Sequence, residues 1–133
     1  MKLTKDQVLT VVTEAGQKMS DPNYSSAMVG GFVQSQPQLT TFISAHEQEL
    51  GGTEAIVSVV FYCALVMEAF SRSGARVRSL GYEDLDDAAR GEPLPRLEKV
   101  QLPLHEFIQA NIENKEAQKL VATIALAIDA VVP

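Results

Sequence analysis

The chain has one cysteine, Cys63, so it cannot close a disulfide within itself, and it contains no long basic tract. Its net charge of −6 sets up a field that repels polyanions, which argues against non-specific binding to nucleic acid or an anionic membrane. The opening MKLTKDQVLTVVTEAG lacks the uninterrupted apolar core and small-residue cleavage site of a secretory signal. No apolar run reaches the roughly 18 charge-free residues of a membrane span, because Glu54 and Glu68 bracket the best candidate. These absences lead to the expectation of a soluble cytoplasmic protein with no nucleic-acid or membrane partner.

Catalytic and metal-binding signatures are also missing. Gly-rich phosphate loops, a Gly-x-Ser-x-Gly elbow and a Cys-x-x-Cys pair are absent. Two His-Glu pairs occur, His46-Glu47 and His105-Glu106, but a metalloprotease helix needs a second His four residues after the first. Leu50 and Gln109 stand in those places. A di-metal bundle site needs Glu three residues before His, where Ile43 and Leu102 are found. The acidic stretch around Glu83, Asp84, Asp86 and Asp87 has Ala89 where a calcium loop needs glycine. No metal and no cofactor is expected, and no catalytic residue is nominated.

What the chain does contain is apolar helix-forming sequence. Hydrophobic residues make up 46% of the 133, too many for a disordered chain and enough for one core. The run TEAIVSVVFYCALVMEAFSRS, Thr53 to Ser73, carries only Ser58, Tyr62 and Glu68 as polar residues between Ala55 and Phe70. It is too long for an ordinary strand, so it reads as a helix apolar on nearly all sides, which belongs in the middle of a bundle. Gly51 is placed as a left-handed cap before it, Thr53 as its N-cap and Gly74 as its end.

The other elements follow from caps and spacing. Thr4 with Gln7 forms a capping box and Leu3 with Val8 a hydrophobic staple, starting a helix whose stripe is Val8, Val12, Ala15 and Met19. Asp21-Pro22-Asn23 reads as the turn that ends it. A weaker helix runs from Ser25 or Ser26 to about Ser35, with Gly30-Gly31 inside it as either a hinge or, the favoured reading, a close crossing or a break. A third helix begins near Pro37, with Leu39, Phe42, Ile43, His46 and Leu50 as its stripe. Residues 74–103 carry Gly74, Gly81, Gly91, Pro93 and Pro95, and read as an irregular surface insertion with one short helix near Tyr82 to Arg90. From Leu104 to Val132 two helices are expected, with a break near Asn114.

The chain also echoes itself. A shift of 65 positions lays Leu39, Phe42, Ile43 and Ala45 on Leu104, Phe107, Ile108 and Ala110, and lays Ser58 on Thr123. The expected fold is therefore all-α: one domain over 1–133, a bundle of about six helices built from two related αα-hairpins around a central buried helix.

Polar residues on this frame admit two readings each. His46 falls in the apolar stripe, as a core-edge imidazole bonded to a carbonyl would, and Cys63 reads as a small core hydrophobe. Glu54, Ser58 and Tyr62 recur every four residues and mark either the lining of a pocket or, more simply, the face that approaches solvent. Arg72, Arg76 and Arg78 complement the carbonyl end of the long helix and can pair with the acidic residues that follow. Asp129 marks the outer face of the last helix or a contact to a partner.

Two functions from different classes fit. The favoured one is a small acidic, non-enzymatic helical protein that acts through protein–protein contacts as an adaptor, inhibitor or regulatory subunit. Its partner would be another protein or a second copy, as a homodimer covering the apolar last helix. The alternative is a ligand- or metal-binding protein or an enzyme, with its site between the hairpins and the 74–103 segment. Tyr62, Arg76, Arg78, Tyr82 and His105 would line that site.

Overall fold

A computed structural model describes residues 1–132, and among these the chain is all helical. Nine helices follow one another: α1 (Lys5–Lys18), α2 (Pro22–Ser35), α3 (Pro37–Ser44), α4 (Glu47–Leu50), α5 (Thr53–Arg72), α6 (Tyr82–Ala88), α7 (Pro93–Val100), α8 (Leu102–Asn111) and α9 (Lys115–Val131). The α1 cap forms as its residues dictate: Thr4 Oγ1 accepts from the Gln7 amide at 3.1 Å, and Gln7 Oε1 accepts from the Thr4 amide at 2.8 Å. Asn114 likewise caps α9, accepting from the Ala117 amide at 3.0 Å.

Several boundaries differ from the sequence expectation, each for a local reason. Asp21-Pro22 opens α2 instead of ending α1: Asp21 accepts from the Asn23 amide, and Pro22 takes the first helical position, where no amide donor is needed. Gly30-Gly31 neither breaks α2 nor lies at a close crossing, since a Cβ at either position would meet nothing within 4 Å. The third helix splits into α3 and α4 because the Phe42 carbonyl, which in a continuous helix would accept the His46 amide, is taken by His46 Nδ1 at 2.8 Å. The His46 amide turns to the Ile43 carbonyl, and α4 then brings Leu50 into the core. Gly51 closes α4 with φ of 100°, and Gly52, not Thr53, is the N-cap of α5.

Residues 74–103 are not a surface insertion. They form α6 and α7, which pack along α9 and bury Leu80, Leu85, Ala88 and Leu97. Pro93 and Pro95, read as punctuation, sit in the first turn of α7, where the amides have no intrahelical partners and proline loses nothing.

The internal echo extends beyond two hairpins. Gln36 joins α2 to α3 with φ/ψ of −134°/65°, and Gln101 joins α7 to α8 with −144°/70°. Both side chains are fully buried, and each clasps an extended segment of the other half. Gln36 donates to the Arg78 carbonyl and accepts from the Leu80 amide, both at 2.8 Å. Gln101 donates to the Met1 carbonyl at 2.6 Å and accepts from the Leu3 amide at 3.0 Å. Leu3 and Leu80 are both buried, and each stands one residue before the cap of a helix, α1 or α6.

The pairing of elements repeats in the same way. α1 packs on α8 as α6 packs on α3, α2 lies on α5 as α7 lies on α9, and α5 and α9 meet. The unit is thus four helices, α1-α2-α3-α5 answered by α6-α7-α8-α9. α4 is the one element without a counterpart among the described residues.

The two long helices differ in their cover. No residue from Leu120 to Ile128 is more than 6% exposed, so α9 is the enclosed rod. α5 is long and apolar enough to cross a membrane by length and composition, as core helices also are. Here it packs against α1, α2, α3, α4 and α9, yet Val57 remains 50% exposed.

Candidate functional site

Where α5 is left uncovered, a groove of about 410 Å³ opens between α1, α2, α5 and α8. Val57, Phe61 and Leu65 give α5's contribution, spaced at four residues so that they share one face. Val12, Ala15 and Met19 supply the α1 wall and Phe107 the α8 wall. None of the residues lining the groove is charged. Its polar groups are Ser25, Ser58, Tyr62 and Asn111. A second recess of about 180 Å³ continues along the α1–α8 seam and shares Val12, Phe107 and Asn111 with the first. Lys5, Leu9 and Glu106 lie along it. Val57, Met19 and Leu9, each about half exposed, are therefore three of the larger exposed apolar side chains and all lie on this surface.

The walls are fixed by specific contacts. Tyr62 donates its hydroxyl hydrogen to the Asn111 carbonyl at 3.1 Å, and Asn111 Nδ2 donates to the Phe107 carbonyl at 2.8 Å. The first bond serves a carbonyl at the end of α8 that has no helical partner, and the second folds the Asn111 side chain back onto its own helix. Tyr62 also stacks edge-on against Phe107, and Tyr24 against Phe61. The α1 wall is tied to α5 by Glu14, which accepts from Arg72 at 2.5 Å and from Lys18 at 2.7 Å, while Arg72 also reaches Glu68. The hydrogen bonds from Arg72 and then Lys18 hold the Glu14 carboxyl down to about 2.

Of the five residues nominated from the sequence, only Tyr62 lines this groove. Arg78 is engaged elsewhere, in a two-pronged pair with Asp84 at 2.8 and 3.0 Å. That bond, with the Gly81 amide, lowers the Asp84 carboxyl below its usual range. Tyr82 begins α6 and is about half exposed, and Arg76 is exposed without an ion-pair partner among the described residues. His105 is half-buried on α8, with Nδ1 3.9 Å from Glu98. Arg72 and Arg78 thus go to separate carboxylates, and Arg76 stands outside both pairs.

Glu54, Ser58 and Tyr62 do mark the face of α5 that approaches solvent, and Ser58 and Tyr62 do so as part of the groove. Asp129 accepts from Gln101 Nε2 at 2.7 Å, inside the clasp. Cys63 is fully buried, and burial pushes its thiol well above the ordinary range, so it is inert. Among the described residues no three His, Cys, Asp or Glu side chains gather as a metal site requires.

Sequence reasoning missed Val57, Met19 and Asn111 as surface residues. The polar line of Glu54, Ser58 and Tyr62 points to the uncovered side of α5, but Val57 lies beside that line within an apolar run and so looks like core. No protein-family model, curated protein or solved structure matches the chain.

Proposed function

We propose that the protein is a non-enzymatic helical binding module whose working surface is the groove between α1, α2, α5 and α8. Its occupant is a helix of a protein partner that lays apolar side chains along α5. The observation that carries this reading is the contrast between the two long helices: α9 is sealed, while its counterpart α5 presents half-exposed Val57 beside Met19 in an uncharged groove. Amphipathic helices dock into such grooves through residues at i, i+3 or i+4, and i+7. The lining offers apolar contact with a few hydroxyl and amide groups to fix orientation, a chemistry suited to holding a partner. The expected homodimer over the last helix loses its motive, because α6 and α7 already cover α9.

The test is selection from a library of displayed helical peptides on the wild-type protein, with counter-selection on Val57→Asp. Val57 is half exposed, so the substitution costs the fold little, about 0.5 kcal/mol. Helices that bind the wild type and lose binding to Val57→Asp support the reading. Failure to enrich any helix, or enrichment indifferent to residue 57, overturns it. Should the selected segments instead match a helix of this chain, the partner is a second copy.

A further inference from the structure

We infer that the helix taken by this groove is basic as well as amphipathic, with an apolar face of leucine-like residues and Lys or Arg along its borders. The inference rests on the groove reading above and adds the chemistry of the partner. Two separate observations lead to it.

The first concerns shape. Every helix of the first half has a counterpart in the second except α4, a short helix that follows the end of α3 and seats Leu50 against the long helices. In the second half the chain passes from α8 to α9 through residues 112–114 without such a helix. A counterpart of α4 would start from the end of α8, at Asn111, and Asn111 lines the groove. The vacancy in the repeat thus corresponds to one helical turn and calls for an apolar anchor like Leu50.

The second concerns charge. The groove itself is neutral, so the sign of a partner is set by the residues beside it. Glu54 stands one turn before Ser58 on α5, Glu106 lines the adjoining recess, and Glu113 follows Asn111 by two residues. All three are exposed, and none has an ion-pair partner among the described residues. Against these three carboxylates stand two cations that are free among the described residues, Lys5 on the opposite wall of the recess and Lys115 two residues beyond Glu113, while Lys18 is already held by Glu14, so the surround stays acidic. With a net charge of −6 on the whole chain, a basic helix is steered in and an acidic one is repelled.

Three synthetic helices of about 18 residues test this, sharing one leucine face and differing in polar residues: Lys, Gln or Glu. Binding is measured by isothermal titration at about 0.05 M and about 0.5 M salt. The Lys helix is expected to bind about tenfold more tightly than the Gln helix at low salt, with the advantage shrinking at high salt. Replacing the three carboxylates together (Glu54→Gln, Glu106→Gln, Glu113→Gln) should erase the advantage and leave the Gln helix unaffected. The same change at Glu83, Asp86 and Asp87, on α6, should leave the advantage in place. Equal binding of the Lys and Gln helices, both lost in Val57→Asp, overturns the charge inference while the groove reading stands. Binding that survives Val57→Asp, or no binding at all, overturns both.

Discussion

Replacing Gln36 with methionine isolates what the buried clasps contribute. Methionine fills nearly the same volume with an unbranched chain but offers neither the donor nor the strong acceptor of an amide. Gln36 is fully buried and makes two side-chain bonds of 2.8 Å, to the Arg78 carbonyl and from the Leu80 amide. In Gln36→Met both backbone groups lose their partners beside Leu80, which is 1% exposed. An unsatisfied buried group costs about 1–3 kcal/mol; the Leu80 bond is buried and the Arg78 bond only partly, so the pair costs about 2–4 kcal/mol, a large share of the 5–15 kcal/mol typical of a domain. In urea, with a slope of about 1–3 kcal/mol per molar, the midpoint should fall by about 1–3 M. The exposed neighbour Gln34→Met serves as control and should shift stability by less than about 0.5 kcal/mol. By the repeat, Gln101→Met belongs with Gln36→Met, since it strands the Leu3 amide and the Met1 carbonyl and leaves Asp129 without its donor. A midpoint for Gln36→Met equal to that of the control, with the Leu80 amide still protected from hydrogen exchange, would refute the reasoning.

Further outcomes follow from the same geometry. Gly30→Ala and Gly31→Ala should each stabilise the protein by about 1 kcal/mol, seen as a higher melting temperature, because α2 is helical there and the added methyl meets nothing. Destabilisation by either would show that the space is needed. Leu97→Ala should cost about 2–5 kcal/mol, as a fully buried leucine of α7; a loss under 1 kcal/mol would restore the surface-insertion reading. On acidification, Glu14 has a folded-state pKa of about 2 against an ordinary 4.5, so its contribution is complete above about pH 4.5 and is lost as the pH falls toward 2. Asp84 shifts in the same direction. Urea midpoints should therefore drop across that window, and less steeply in Glu14→Gln; identical profiles would remove Glu14 from the account.

The parts of this architecture that could be read from the sequence are those decided locally. The Thr4–Gln7 box, the Asn114 cap and the Gly51 left-handed cap each depend on side chains within a few residues of one another, and all three form. The all-helical class followed from periodicity, which also survives in three dimensions. What escaped was decided by distant contacts. Pro93 and Pro95 look like loop residues until one knows that a first turn needs no donors there. The split between α3 and α4 depends on one imidazole taking one carbonyl. The choice of α9 over α5 as the enclosed rod depends on α6 and α7, which the glycines and prolines of 74–103 had disguised.

The candidate site was less legible for the same reason. Tyr62 stands out by interrupting an apolar run, but nothing near Arg76, Arg78, Tyr82 or His105 in the sequence says where the fold sends them. The fold sends Arg78 to Asp84 and His105 toward Glu98, away from the groove. Met19, Val57 and Asn111 converge from three helices separated by long stretches of chain, and no local pattern marks them.

The central claim is that the uncovered face of α5 is where a partner helix sits. Val57→Cys makes that face reportable, since native Cys63 is buried and unreactive. Labelling by a thiol reagent should be fast for Val57→Cys alone and strongly slowed by saturating Lys-bordered leucine helix, with the wild type unlabelled throughout. Labelling at residue 57 that proceeds equally fast with the helix bound would contradict the account.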